Sequence, residues 1–78
     1  MTRFELQTAW QPPDHWSAST AIAECQVHHD AGDDVRPIYR QYVQARKWLE
    51  QQQNRSAADE ILLADVRRVV AAIGTLLD

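Results

Sequence analysis

The chain has little that could stabilise a small protein apart from its hydrophobic core. Its 78 residues include a single cysteine, Cys25, so no disulfide bond within the chain can supplement that core. A core of this size is marginal by itself and often depends on well-packed helices or on oligomerisation. We therefore expect one domain, residues 1–78, in a reducing compartment.

Long apolar segments are also absent. The longest uncharged apolar run covers residues 69–77, whereas a helix needs about 20 residues to cross a membrane. The N-terminal sequence from Met1 to Leu6 contains no apolar signal region. The sequence predicts a cytoplasmic protein that does not enter a membrane.

The sequence contains no arrangement of residues that is typical of an enzyme. Cys25 would need a base, an orienting group and an oxyanion hole to act as a nucleophile, and the sequence supplies only nearby histidines. A buried structural thiol is the simpler interpretation. The sequence therefore predicts a protein that is not an enzyme and has no cofactor.

The best candidate for a metal site surrounds the same cysteine. On a helix, Cys25 and His29 are one turn apart, as are Glu24 and His28. A closed zinc site needs four ligands, and His15 is too far along the helix to join them. We predict no metal site, and a metal-linked or pH-linked switch at His28 and His29 stays open as an alternative.

Charge is distributed unevenly, although the net charge is only −3. Residues 4–35 contain six acidic residues and no lysine or arginine, whereas residues 36–55 contain five basic residues and one acid, Glu50. Two interpretations are open. In the first, the acidic segment packs beside the basic one. In the second, a basic helix binds an acidic partner.

Apolar spacing predicts three helices. The third, residues 56–77, has two parallel apolar rows that form one broad face, and Ser56 is placed to cap it. The second, residues 34–53, has one apolar row opposite a basic and amide face, and the first, residues 14–31, has only a thin apolar row. The rows of the third helix are Leu62, Val66, Val69, Ile73 and Leu76, and beside them Leu63, Val70 and Leu77.

The N-terminal residues follow a different pattern. Phe4, Leu6 and Trp10 alternate with polar residues, which predicts a short strand or extended arm over residues 1–13. We expect an all-α fold with this arm, a small three-helix arrangement in which helices two and three form an antiparallel hairpin. Because the apolar face of helix three is wider than one helix can cover, we also predict a homodimer formed through that face.

Aromatic and basic residues give the remaining indication of function, because tryptophan and arginine are enriched at interfaces. We predict a small non-enzymatic protein-binding protein, an adaptor, inhibitor or regulator that occupies a surface of a partner protein. Trp10 and Trp16 would supply buried area, and Arg36, Arg40 and Lys47 would steer an acidic partner. In size and class the chain resembles small helical accessory and regulatory proteins of bacteria and their phages.

A dimeric DNA-binding transcription regulator is the main alternative. Basic residues on helices two and three could contact phosphates, but phosphate binding favours a net basic face and these residues have acidic neighbours. The turn between these helices also lacks the glycine that is frequent in helix-turn-helix motifs. We therefore expect no nucleic acid among the partners.

Overall fold

Three α-helices form the part of the chain that the structure describes. The computed structural model describes residues 12–78, in which α1 is Ala18–Asp30, α2 is Arg36–Gln51 and α3 is Ala57–Leu77. These residues contain no strand, and α2 packs against α3 as the predicted hairpin. The all-α prediction is confirmed. Residues 1–11, which hold nearly all of the predicted arm, lie outside the described residues.

The first helix begins at Ala18 rather than at residue 14, where we predicted its start. A turn precedes it, in which the N–H of Trp16 donates to the carbonyl of Pro13 at 3.0 Å. Ser17 then caps the helix, because its Oγ accepts a hydrogen bond from the N–H of Thr20 at 3.1 Å. Asp14, which could also cap a helix by residue type, is not the residue used.

Gly32 follows the last turn of α1 and ends the helix. Its φ of +89° lies in the left-handed region, which a residue without Cβ adopts at little cost. In this conformation the N–H groups of Gly32 and Asp33 donate to the carbonyls of His29 and His28 at 3.0 and 2.9 Å. The chain then turns directly into α2.

Arg55 closes the connection between α2 and α3. Its Nη1 donates to the carbonyls of Leu49 and Gln52 at 3.0 and 2.9 Å, and its Nε donates to Glu60 Oε2 at 2.9 Å. Carbonyls at a helix C-terminus have no partner within the helix, so this guanidinium satisfies groups that would otherwise need water. Ser56 caps α3 by accepting from the N–H of Asp59 at 3.1 Å.

The core consists of two clusters, which lie on two sides of α3. In the first, α1 contributes the small residues Ala18, Ala21 and Cys25, which pack with Val69 and Ile73 of α3. In the second, α2 contributes Ala45 and Leu49, which pack with three buried residues of α3: Leu63, Val66 and Val70. Each of the other two helices therefore covers part of the broad apolar face of α3.

The packing of α3 contradicts the argument that its broad apolar face requires a second copy of the chain. Val66, Val69 and Ile73 of α3 are fully buried within one chain, and only Leu77 at the end of the second row is exposed, at 37%. The broad face needs no second copy, because two helices of the same chain cover it. Homodimerisation itself stays a prediction and would have to use a different face.

The described helices were also compared with the requirements of a membrane span. Each of them is too short or too polar to form one.

Candidate functional site

The predicted basic residues share the outer side of α2. Arg36, Arg40 and Lys47 are spaced by four and seven residues, which places them within about 40° of one another around the helix and along about 16 Å of its length. All three are exposed. We call these three residues the basic stripe of α2. The exposed amides of Gln44 and Gln51 lie beside it.

Arg36 is held by the residue just before the helix. Its Nε and Nη2 donate to the two carboxylate oxygens of Asp34 at 2.9 and 3.1 Å, and its backbone N–H donates to Asp34 Oδ1 at 3.0 Å. These hydrogen bonds lower the pKa of Asp34 and raise the pKa of Arg36. The pair is exposed and therefore screened by water. Its main effect is to fix the guanidinium at the start of the stripe.

Arg40 and Lys47 carry charges that the described residues do not neutralise. Neither forms an ion pair within residues 12–78. Within that range the acidic segment before α2 forms one ion pair with this helix, Asp34 with Arg36, and the charge of Arg40 interacts with Asp34 at longer range. Within the described residues, neutralisation of α2 by the acidic segment is therefore limited to Asp34.

The remaining arginines have neighbours of their own. Arg67 donates to Glu50 at 3.0 Å, Arg68 donates to Asp65 at 3.4 Å, and Arg55 closes the α2–α3 turn. Arg46 is half-buried, and its Nε is buried without a hydrogen-bond partner among the described residues. These arginines therefore do not extend the basic stripe into a continuous basic surface.

Trp16 is half-buried and packs against the core rather than beside the basic stripe. It packs against both core clusters, and its Nε1 donates to Tyr42 Oη at 2.9 Å, with ring centroids 6.2 Å apart. Burial raises the pKa of Tyr42, while the hydrogen bond from Trp16 opposes that rise. Tyr42 is on the inner side of α2, so these two aromatics link the turn before α1 to α2. Trp10, the other predicted aromatic, lies outside the described residues.

Cys25 and the histidines do not form a shared ligand set. Cys25 is buried, at 3% exposure, and burial followed by the charge of Glu24 raises the pKa of its thiol. His28 and His29 are exposed instead, and His28 Nδ1 lies 3.0 Å from Asp33 Oδ2. Among residues 12–78 there is no group of three or more His, Cys, Asp or Glu residues that could hold a metal ion.

An open depression of about 580 Å³ follows the outer side of α1. Ser19 and His28 both line it, but nine residues separate them along the helix, which is about 13 Å and too far for a nucleophile and its base. None of the predicted partner-binding residues lines it. The lining residues in the described part of the chain are Ser19, Thr20, Ala23, Glu24, Val27 and His28.

Comparison with known proteins gives no match, since no protein-family model fits the chain and no similar curated protein or solved structure was found. The site is therefore interpreted from its own side chains. The most distinctive surface feature among them is the basic stripe of α2, whose charge the neighbouring residues leave largely uncompensated.

Sequence reasoning missed two features of the surface. Arg55 was not assigned a structural role from the sequence, whereas its side chain closes a turn. Its position just past a helix C-terminus was the available signal. Sequence reasoning also did not single out Ile61, which the structure leaves 65% exposed on the outer side of α3.

Proposed function

We propose that this protein is a small, non-enzymatic protein-binding protein whose α2 docks on an acidic surface of a partner protein. The observation that carries the proposal is the exposure of Arg40 and Lys47, which make no ion pair with any residue the structure describes. In a chain of net charge −3, two such charges on one helical stripe form a local region of positive potential.

The physical role of the stripe is to guide and orient a partner. Exposed charges contribute little to the stability of the fold, so nothing in the packing of α2 requires bases at these positions. Across an interface, charges of opposite sign accelerate encounter and select the orientation of docking. A helix that presents one face to a groove is a common way in which proteins recognise each other. The partner surface that fits this stripe is an acidic groove.

The protein would act by occupancy, as an adaptor, inhibitor or regulator. A single domain that holds one free cysteine, Cys25, buried in its core offers surface rather than reactive chemistry to other molecules. The same free thiol supports a cytoplasmic location, where thiols stay reduced. Trp10 would add apolar area to the interface if it lies beside the stripe.

The test compares two variants with a matched change of charge. In Arg40→Ala/Lys47→Ala the stripe is weakened, and in Arg67→Glu the same change of two charge units is made on the exposed side of α3. The wild-type protein is used to capture a partner from the native host, and the association rate with that partner is then measured over a series of salt concentrations.

We expect the α2 variant to associate about tenfold more slowly at low salt, with a shallower salt dependence. The α3 variant should associate like the wild type, and the melting temperatures of all three should agree within a few degrees. Equal association rates for the two variants would show that the stripe does not guide the partner and is only exposed to solvent. Retention of the wild type on a DNA fragment at low salt, lost in the α2 variant, would instead favour the nucleic-acid alternative.

A further inference from the structure

The outer side of α3 has a second ordered row of residues that the core does not use. Its members follow one another at intervals of three, four, three, four and three, which is the spacing of helices that pack along each other. We call this row the outer seam of α3. Its members are Ala58, Ile61, Asp65, Arg68, Ala72 and Thr75.

The described residues, 12–78, leave most of this seam uncovered. Ile61 is 65% exposed, the side chain of Arg68 is 62% exposed, and Ala58 and Thr75 are also exposed. Asp65 and Ala72 are half-buried at its edge. Between them the members include one large apolar residue, one acid and one base, so the seam has a specific pattern of size and charge.

We infer that a second copy of this chain covers the outer seam, with the two α3 helices antiparallel. A two-fold axis passing between Val66 and Arg67 brings each member of the seam onto a different member in the partner. Ile61 then faces the partner's Ala72, so that a large residue meets a small one. Asp65 faces the partner's Arg68, and Ala58 faces the partner's Thr75.

Charge selects this occupant and this orientation. Asp65 and Arg68 form an ion pair within the chain at 3.4 Å. In the antiparallel dimer two such pairs meet with opposite signs facing, whereas a parallel pairing would place acid against acid and base against base. The seam is therefore complementary to itself in one orientation only.

The remaining polar group of the seam is already satisfied. The hydroxyl of Thr75 donates to the carbonyl of Ala71 at 3.0 Å. Contact with the partner's Ala58 would therefore bury no unpaired hydroxyl, which would otherwise cost free energy. Exposed alanines at positions 64 and 71 flank the seam and allow two helix axes to approach closely.

The dimer should be weak and reversible. One helix about 31 Å long from each copy supplies the contact, which places the buried area below the roughly 1,200 Å² of standard stable interfaces. The seam and the basic stripe are on different helices, so this inference does not depend on the proposed function. Dimerisation would give each particle two basic stripes.

Charge reversal tests the pairing. Sedimentation equilibrium up to the high-micromolar range should show the wild type associating to a dimer. Asp65→Arg and Arg68→Asp each place like charges across the two-fold axis and should weaken the dimer about tenfold. The double variant Asp65→Arg/Arg68→Asp restores both pairs and should recover the wild-type dissociation constant within a few-fold. Circular dichroism checks that every variant remains helical.

Cross-linking tests the orientation. With Ile61→Cys and Ala72→Cys combined, oxidation should give a covalent dimer. Either substitution alone should not, because equivalent positions of the two copies are then about 16 Å apart, beyond the reach of a disulfide. Cys25 is replaced by alanine in all of these proteins, so that only the introduced thiols can be oxidised. A wild type that stays monomeric, single reversals that dimerise normally, or single cysteine variants that cross-link as well as the pair would each overturn the inference.

Discussion

Cys25 and Tyr42 are shielded from water when the chain folds. Burial raises the pKa of the Cys25 thiol, with a further contribution from Glu24, and burial raises the pKa of the Tyr42 phenol. A group whose pKa is higher in the folded state holds its proton more tightly there. Its contribution to stability is complete below the pKa of the unfolded chain and is lost as the pH rises through the folded pKa.

We therefore expect the free energy of unfolding to decrease at alkaline pH. The decrease should begin above about 8.5, the ordinary pKa of a thiol, and continue above about 10, that of a phenol. Cys25→Ala should remove the first part and Tyr42→Phe part of the second. Urea unfolding at a series of pH values measures this, and a wild-type stability that stays constant through this range would contradict it.

The start of a helix was predicted well where only one nearby residue is a good N-cap. For α3 the apolar spacing and the Ser56 cap predict residues 56–77, and the helix is Ala57–Leu77. For α1 the start was wrong because Asp14 and Ser17 are both good caps by residue type. The turn made by Pro13 and Trp16 decides between them, and spacing does not reveal a turn of that kind.

Packing partners were harder to predict than the helices themselves. The width of the apolar face of α3 is visible in the sequence, but the helices that cover it are not. Ala18, Ala21 and Cys25 give α1 little apolar signal, yet being small they allow it to lie close against Val69 and Ile73. The exposure of the basic stripe was predictable, since it lies opposite an apolar row.

Two glycines in different elements should respond oppositely to substitution by alanine. Gly32→Ala forces a side chain into the left-handed region and should destabilise the protein by about 1 kcal/mol. Gly74→Ala within α3 should be neutral or stabilise by up to about 1 kcal/mol, because helix propensity improves and the new Cβ would lie an ordinary 3.6 Å from Tyr39 Cε1.

Thermal and urea unfolding of the two variants beside the wild type measure this contrast. The two glycine variants act as controls for each other, because each adds the same methyl group. Equal destabilisation by both would show that crowding around Gly74 outweighs helix propensity. Equal stabilisation would show that the connection after α1 adapts without strain.

On the scale of the whole molecule, α3 is shared by the other two helices. Both α1 and α2 pack against α3, and they contact each other far less. The residues that α1 buries are Ala18, Ala21 and Cys25, whereas α2 buries Leu49, which supplies more apolar area. The attachment of α1 should therefore be the weaker of the two.

We expect α1 to open while the hairpin of α2 and α3 stays folded. Native-state hydrogen exchange should show α1 amides exchanging with a lower free energy than the core amides of α3. Labelling of the Cys25 thiol should proceed with that same lower free energy, because α1 must detach to expose it. Exchange of all three helices in one step, at the global free energy of unfolding, would contradict this prediction.

The two connections of the chain differ in how they tolerate alteration. After α1 the chain turns on backbone hydrogen bonds around Gly32, but after α2 it depends on one side chain, Arg55, that reaches both Leu49 and Glu60. Residues inserted between Gln53 and Asn54 would move the Arg55 guanidinium away from the carbonyls of Leu49 and Gln52, to which it donates hydrogen bonds. A permuted or split form of this protein should keep the second connection intact, and new termini or fusion partners belong elsewhere.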